Sequence, residues 1–390
     1  MIYLDNAATT SIDPSALQEM LPYLTDSYGN AGTMYSLGRT SREAVEKARI
    51  QVANFIKASP EQIVFTSSGT EANNLAIKGL REYLKSIDKT EIISSPVEHD
   101  SVLNSIKSLC EFDGFSSIYL PTFKNKISRI VDLNKSVSDN TGLVALMYAN
   151  NETGLVNPVK KIGKFCSDKN ILFHCDCVQA AGCYDLDVNR IGCSTMSLSG
   201  HKFHAPKGVG ALFIKEPSII KPVLNGGVGQ EFGLRAGTEN VAGIVGLGYM
   251  CELISEVRVA FAQYISDLKD IFYNELISKL KEYELISILQ INGLYKQRSD
   301  GKVINLRFDG IDGQTLLLAL DSNGVCVSSG SACCGSSTKG SHVLLAMGYT
   351  EEEASNSIRV SFSAANTEDE VKEAAIIIAD CVKELINIEY

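Results

Sequence analysis

Three short stretches put polar residues where packing alone does not ask for them. TSSGTE (66–71) is a turn of small residues opening a helix pattern. Its free N–H groups and the helix dipole would bind an anion, most simply a phosphate. HCDCVQ (174–179) ends an apolar strand pattern on Asp176, a carboxylate that is costly there without a cation or donor beside it. LSGHKFHAPKG (198–208) places Lys202 straight after another strand pattern, where a crowded, partly dry lysine can form a Schiff base. Each stretch has an ordinary alternative: a helix cap, a capping carboxylate and a solvated loop lysine. Together they supply the three handles of pyridoxal phosphate, namely its phosphate, its ring nitrogen and its aldehyde.

A fourth stretch, SSGSACCGSS (328–337), sets two adjacent cysteines among serine, glycine and alanine. Nothing in it builds a core. Either both thiols are incidental, or one is a nucleophile carried on a flexible arm. Adjacent residues on an extended loop point different ways, so only one thiol could approach a given target at a time. A zinc site at HCDC (174–177) is not expected. On a strand His174 and Asp176 share one face and Cys175 and Cys177 the other, and no CxxC partner lies elsewhere.

The elements that must position these residues follow from periodicity. QIVFTS (62–67), EIISS (91–95), SSIYL (116–120), LVALMYAN (143–150), ILFHCD (171–176), STMSLS (194–199) and GVGALFI (208–214) form short apolar runs, which predict buried strands. EANNLAIKGLREYLK (71–85) and DSVLNSIKSLCEF (100–112) carry apolar residues at helical spacing. Alternation of the two implies an α/β fold with a mostly parallel sheet covered on both faces, whose ligands bind where strand ends meet helix starts. A long helix pattern at 241–285 is followed by strand patterns VINLRF (303–308) and IRVSFS (358–363) and helix patterns GQTLLLAL (313–320) and EDEVKEAAIIIADCVKEL (368–385). The expected division is a large domain over 15–258 and a smaller α+β domain made of 1–14 and 259–390, carrying the cysteine loop at about 326–342.

The 390 residues are 45% hydrophobic and 21% charged, which excludes disordered and fibrous classes. The net charge of −10, with signs interleaved, argues against a nucleic-acid or anionic-membrane surface. The opening MIYLDNAATT goes directly to polar residues, and the most apolar long stretch, around 241–254, is interrupted by Glu252 and glycines. Neither a targeting segment nor a membrane span is expected. Eleven cysteines without framework spacing point to reduced thiols and a cytoplasmic setting.

In order along the chain, YLDNAATT (3–10), FTSSGTEANN (65–74), VEHDSV (97–102), ANNETG (149–154), HCDCVQ (174–179), SGHK (199–202), LRAGTEN (234–240), SSGSAC (328–333) and SIRVSFS (357–363) resemble the motifs of the cysteine desulfurases. These belong to the class V aminotransferase branch of fold-type I pyridoxal-phosphate enzymes. The resemblance runs nearly end to end. It implies that Lys202 attaches the cofactor, that Asp176 holds the ring nitrogen protonated, and that Gln179 bonds the ring phenolate. Asn151 would sit near the same edge and the substrate, and His99 would stack on the ring and help move protons. Gly69, Thr70, Ser199 and His201 would bind the phosphate, with Thr238 added by the partner of a homodimer. Arg359 would take the carboxylate of L-cysteine, for which its planar fork is suited. Cys333 would be the nucleophile that takes the sulfur as a persulfide, leaving L-alanine. The loop length resembles the group that passes sulfur to iron–sulfur cluster scaffolds or other acceptor proteins.

Some positions depart from the family pattern. Ala31 and Tyr35 stand where proline and histidine are common, Ser68 and Ala205 where glycine is, Ala236 where serine is, and Cys334 where serine or threonine is. None is a residue with an implied catalytic role. A selenocysteine lyase or an aminotransferase on the same fold is the alternative, and an aminotransferase has no need of SSGSAC. A catalytically idle scaffold would not need Lys202, Asp176, His99 and Cys333 together.

Overall fold

The computed structural model describes residues 1–227, 229–296, 301–329 and 340–388, with residues 387 and 388 described by their backbone alone. Twelve strands lie among the described residues: β1 (Ile2–Tyr3), β2 (Ile63–Thr66), β3 (Glu91–Ser94), β4 (Ser116–Tyr119), β5 (Thr141–Met147), β6 (Leu172–Asp176), β7 (Thr195–Ser199), β8 (Gly210–Ile214), β9 (Leu289–Asn292), β10 (Val303–Phe308), β11 (Val325–Cys326) and β12 (Ser357–Ser361). Seven of them form one sheet in the order β2-β8-β7-β6-β5-β3-β4. Neighbours from β7 to β4 are parallel, and β8 alone runs against its neighbours. Residues of β2 and β5 to β8 are buried on both faces apart from the half-buried Leu172, as a sheet covered by helices requires.

The seven strand patterns read from the sequence are the seven strands of this sheet. One ends early, for a local reason. The run LVALMYAN continues to Asn150, but β5 stops at Met147. Ala149 then bridges Val156, and the Asn150 side chain accepts the N–H groups of Glu152 and Thr153 at 3.0 and 2.9 Å, so the chain turns back. The helix expected over 71–85 is two helices, Gly69–Gly79 and Arg81–Ser86, joined at Leu80.

A three-stranded antiparallel sheet, β12-β10-β9, and the parallel pair β1–β11 lie outside the large sheet. The pair ties the N-terminus to Val325 and Cys326, and Ile2 and Leu4 are buried in the core beneath the small sheet. The 42-residue helix Val241–Glu282 serves both cores. Its Ile244, Leu247, Met250 and Ile254 pack against the large sheet, and its Ile265, Leu268, Phe272, Leu276 and Leu280 against the small one. None of its residues from 255 to 264 is buried. No described helix is long and apolar enough to cross a membrane.

A buried ion pair fastens the helix Ser36–Ile56 to the edge of the large sheet. The two terminal nitrogens of Arg49 each meet an oxygen of Glu231 at 2.8 Å, and one of them also donates to the Ile63 carbonyl at 2.8 Å. The Phe65 N–H, in β2, donates to the same carboxylate at 2.6 Å. Removing one partner of such a pair leaves an uncompensated charge out of water. Arg49→Met is expected to lower the unfolding free energy by about 3–5 kcal/mol, read from the urea midpoint. An unchanged midpoint would show that the pair is not closed in solution.

Candidate active site

The carboxyl ends of β5, β6 and β7 come level with one another. Met147 pairs with Asp176, Asp176 with Ser197, and Ser199 with Gly210 of β8. Beneath this edge lies a cavity of about 340 Å³, within the size range of small-molecule sites. Its walls include Gly69, Thr70, His99, Asn151, Asp176, Gln179, Ser199, His201, Lys202 and Arg359. Ten residues singled out from the sequence thus meet in one place.

The anion cradle is the start of the helix Gly69–Gly79. Ser68 caps it by accepting the Glu71 N–H at 3.2 Å, and the first N–H groups of a helix have no intrahelical carbonyl to bond. Gly69 is required here by space. A Cβ on it would lie 2.6 Å from Val178 Cγ2 and 3.2 Å from Ser199 Cβ. His201 lies at the end of the cradle with its Nδ1 3.2 Å from Thr9 Oγ1. Burial, with Lys202, Lys207 and Lys302 nearby, pushes its imidazole down to about 4. It is therefore neutral at pH 7.

One side chain that the sequence reading did not single out organises the floor. Asn73 lies four residues after Gly69 and so on the same helix face. Its two N–H bonds go to Asp176 Oδ2 at 2.7 Å and Ser101 Oγ at 2.9 Å. Its carbonyl is 3.0 Å from His174 Nε2, so that nitrogen carries a proton. His174 is fully buried and pushed down to about 4 by that burial. Asp176 takes a second bond from the Val178 N–H at 2.9 Å. The alternation expected on this strand holds: His174 and Asp176 both reach Asn73, while Cys175 and Cys177 meet on the other face, 3.5 Å apart. Ser101 Oγ, already an acceptor from Asn73, lies 2.8 Å from His99 Nδ1, which also accepts the Ser101 N–H at 3.1 Å. His99 therefore holds Nδ1 as an acceptor toward its own helix cap.

Lys202 Nζ donates to the carbonyls of Ala7 and Ala8, each at 2.7 Å. Gln179 Nε2 donates to the same Ala7 carbonyl at 2.9 Å, and its Oε1 is buried without a hydrogen-bond partner. Arg359, in β12, is brought in from the small sheet. It pairs with Asp5 at 2.7 Å and donates to the Asn151 carbonyl at 3.0 Å, while its buried Nε bonds nothing. Asp5, Ala7 and Ala8 all lie in the YLDNAATT stretch, whose part in the site was not legible before folding.

Two more buried carboxyls have raised pKa values. Glu152 lines the cavity and accepts the hydroxyl of Ser341. Burial pushes it up to about 7, against the opposing pull of Ser341 and Arg359, with Asp100 adding to the rise. Glu98 is fully buried, and that burial, together with the nearby Asp176, pushes its carboxyl well above the usual range. Two expected site residues remain. Thr238 is exposed and outside the cavity, and Cys333 lies outside the described residues.

This donor set fits pyridoxal phosphate. The helix start that only glycine allows, the carboxylate held between Asn73 and Val178, and the orphaned Gln179 Oε1 and Arg359 Nε are features that a bound polar molecule completes.

Comparison with known proteins agrees with the geometry. Residues 2–373 match the family model described as aminotransferase class-V. The cysteine desulfurase IscS of Clostridium botulinum is 40% identical over 383 residues, which cover 98% of this chain and 94% of that protein. A solved structure titled NifS-like protein superposes with a TM-score of 0.88 at 33% identity, over 99% of each chain. A second, titled SspA in complex with cysteine, gives 0.77 at 31% identity over 93% of this chain and 99% of that one.

The raised Glu152 carboxyl has a consequence for stability. It keeps its proton to about pH 7 in the fold, against an ordinary value of 4.5. Between those values the folded state binds more protons than the unfolded chain, so stability falls as pH rises through this window. The gap corresponds to about 3 kcal/mol. Glu152→Gln is expected to remove that loss, so that urea midpoints at pH 5 and pH 8 converge compared with the unmodified protein. An identical pH slope in both proteins would show that Glu152 titrates as an ordinary carboxyl.

Proposed function

The chain belongs to the cysteine desulfurases of the class-V aminotransferase family, and on that premise we propose that its cavity is the active site, with roles assigned residue by residue. The reaction converts L-cysteine to L-alanine and leaves the sulfur on an enzyme cysteine as a persulfide. One observation carries the assignment of residues. Lys202, Asp176, His99, the Gly69–Thr70 helix start and Arg359, distant in sequence, line a single cavity.

Pyridoxal phosphate bound here supplies an electron sink that lets the α-carbon give up its proton and the Cβ–S bond break. Gly69, Thr70 and Ser199 would hold its phosphate through backbone N–H and hydroxyl groups, with neutral His201 beside them. Asp176, fixed by Asn73 and Val178, would face the ring nitrogen. Gln179 would meet the ring oxygen, and His99 would lie on the ring face. Lys202 would attach the cofactor and take the substrate's α-proton at Nζ. The pairing of Arg359 with Asp5 and the Asn151 carbonyl fixes the plane of its guanidinium. Its unbonded Nε–H would donate to the substrate carboxylate in that preset plane, near Asn151.

Cys333 would receive the sulfur and pass it to an acceptor protein such as a cluster scaffold. The exposed position of Thr238, outside the cavity of its own chain, supports a homodimer in which it serves the partner's phosphate. We further propose a large domain at 15–258, a small one at 1–14 and 259–390, and a cytoplasmic setting.

The purified protein, loaded with pyridoxal phosphate, is expected to release sulfide and alanine in equal amounts from L-cysteine under reducing conditions. Lys202→Ala should abolish both. Cys333→Ser should abolish sulfide release while cysteine still changes the visible spectrum; sulfide release that survives in this variant would move the nucleophile elsewhere. Arg359→Ala should weaken L-cysteine binding about ten- to a hundredfold, the worth of a charge-assisted fork. Loss of cofactor with unchanged cysteine binding would instead make Arg359 structural. Mixing Thr238 and Lys202 variants should restore part of the activity through hybrid dimers holding one intact site, and a fully active monomer would exclude the shared site.

A further inference from the structure

Beside His99 and His201 the cavity contains a third imidazole, for which the family resemblance supplies no role. His342 lines the same walls as Lys202 and Arg359. It opens the short helix His342–Ala346, whose cap, Ser341, accepts the Leu344 N–H at 3.1 Å and donates its hydroxyl to Glu152. Val343 and Leu344 behind it are buried with Val97, Ile127 and Leu155. The ring is thus delivered to the cavity by an element that is both packed and capped.

Its hydrogen bonding fixes which nitrogen can react. His342 Nε2 lies 3.2 Å from the Glu98 carbonyl. A carbonyl only accepts, so Nε2 carries a proton, and Nδ1 is the ring atom able to gain one. Among the described residues no hydrogen bond within the chain uses Nδ1. His99 has the reverse arrangement, because its Nδ1 accepts from Ser101 and Nε2 is left to carry the proton. One cavity therefore holds an imidazole set to accept a proton and another set to donate one. The ionisable groups around the pair are Asp100, Glu152, Asp176, His201, Lys202 and Arg359, with Glu98 behind His342.

The reaction requires such an acceptor. When L-cysteine and an enzyme thiol become L-alanine and an enzyme persulfide, the carbon–sulfur bond breaks and a sulfur–sulfur bond forms. The carbon keeps the electron pair of the broken bond, and one of the two thiol protons must be carried to it. We propose that His342 is a catalytic residue of this reaction, the base that takes that thiol proton at Nδ1 as sulfur is transferred and returns it to the carbon that sulfur leaves. This rests on the desulfurase reading above and adds to it the path of one proton.

The test uses the full-length holoenzyme and the His342→Gln variant. L-cysteine binding, followed by the change in the visible spectrum, is expected to stay within about threefold. Sulfide and alanine formation at pH 7 is expected to fall about a hundredfold or more, the usual worth of a positioned base. The residual rate should climb as pH approaches the thiol pKa of about 8.5, because solvent then does the work of the ring. Added imidazole should restore part of the rate in His342→Ala. Undiminished turnover in His342→Gln would overturn the proposal. So would a loss of cysteine binding, or a fall in rate that neither pH nor imidazole repairs, since either would make His342 structural. Turnover of L-cysteine by the unmodified protein, measured alongside, tests the desulfurase reading separately.

Discussion

The parallel register of β5, β6 and β7 is the constraint on which the site depends. Because Met147, Asp176 and Ser197 are set level by backbone hydrogen bonds, the residues that follow each strand leave the sheet at one edge. The Asn150–Glu152 turn, the Gln179 segment and the Gly200–Lys202 turn are three consequences of one register. A slip of one residue in β6 would turn Asp176 to the face now held by Cys175 and Cys177. The small sheet contributes by a different route. β12 places Arg359 against Asp5 from the N-terminal segment and against the Asn151 carbonyl, so this end of the cavity closes only when both cores are formed.

Three polar side chains buried behind that edge are joined through a fourth. Asn73 spends both its N–H bonds and its carbonyl on Ser101, Asp176 and His174. An unpaired group at this depth costs about 1–3 kcal/mol, so the network fixes Asp176 in position as well as in place. Burial shifts its two titratable neighbours in opposite senses. Burial pushes His174 down to about 4 and Glu98 well above the usual carboxyl range. His174 is therefore neutral at pH 7 and adds no charge beside Asp176.

The cysteines separate along similar lines. Burial pushes Cys166 up to about 12 and raises Cys175, Cys177, Cys193 and Cys251 as well. Thiols so held are poor nucleophiles, since the thiolate is the reactive form. They are packing groups of the large core. This leaves the thiol chemistry of the reaction to a cysteine outside that core, and the motif SSGSAC remains the reason for choosing Cys333.

Much of this was legible in the sequence because it is local. The seven strands of the large sheet, the glycine at the helix start, and the strand ends at Asp176 and Lys202 are written in periodicity and in residue type over windows of ten or fewer residues. The alternation of faces at 174–177 needed nothing beyond the geometry of a strand. What the sequence could not disclose is long-range pairing. Asn73 is an ordinary polar helix residue until His174 and Asp176 lie opposite it. Asp5 and the Ala7 and Ala8 carbonyls become part of the site only because β1 pairs with β11 and carries the N-terminus alongside Lys202 and Arg359. His342 follows a serine in an unremarkable apolar run, and its proton is assigned by a carbonyl at Glu98, far away along the chain. Local pattern determined which residues could do chemistry. The fold decided which of them share a cavity, because hydrogen-bond partners and burial are properties of the packed chain alone.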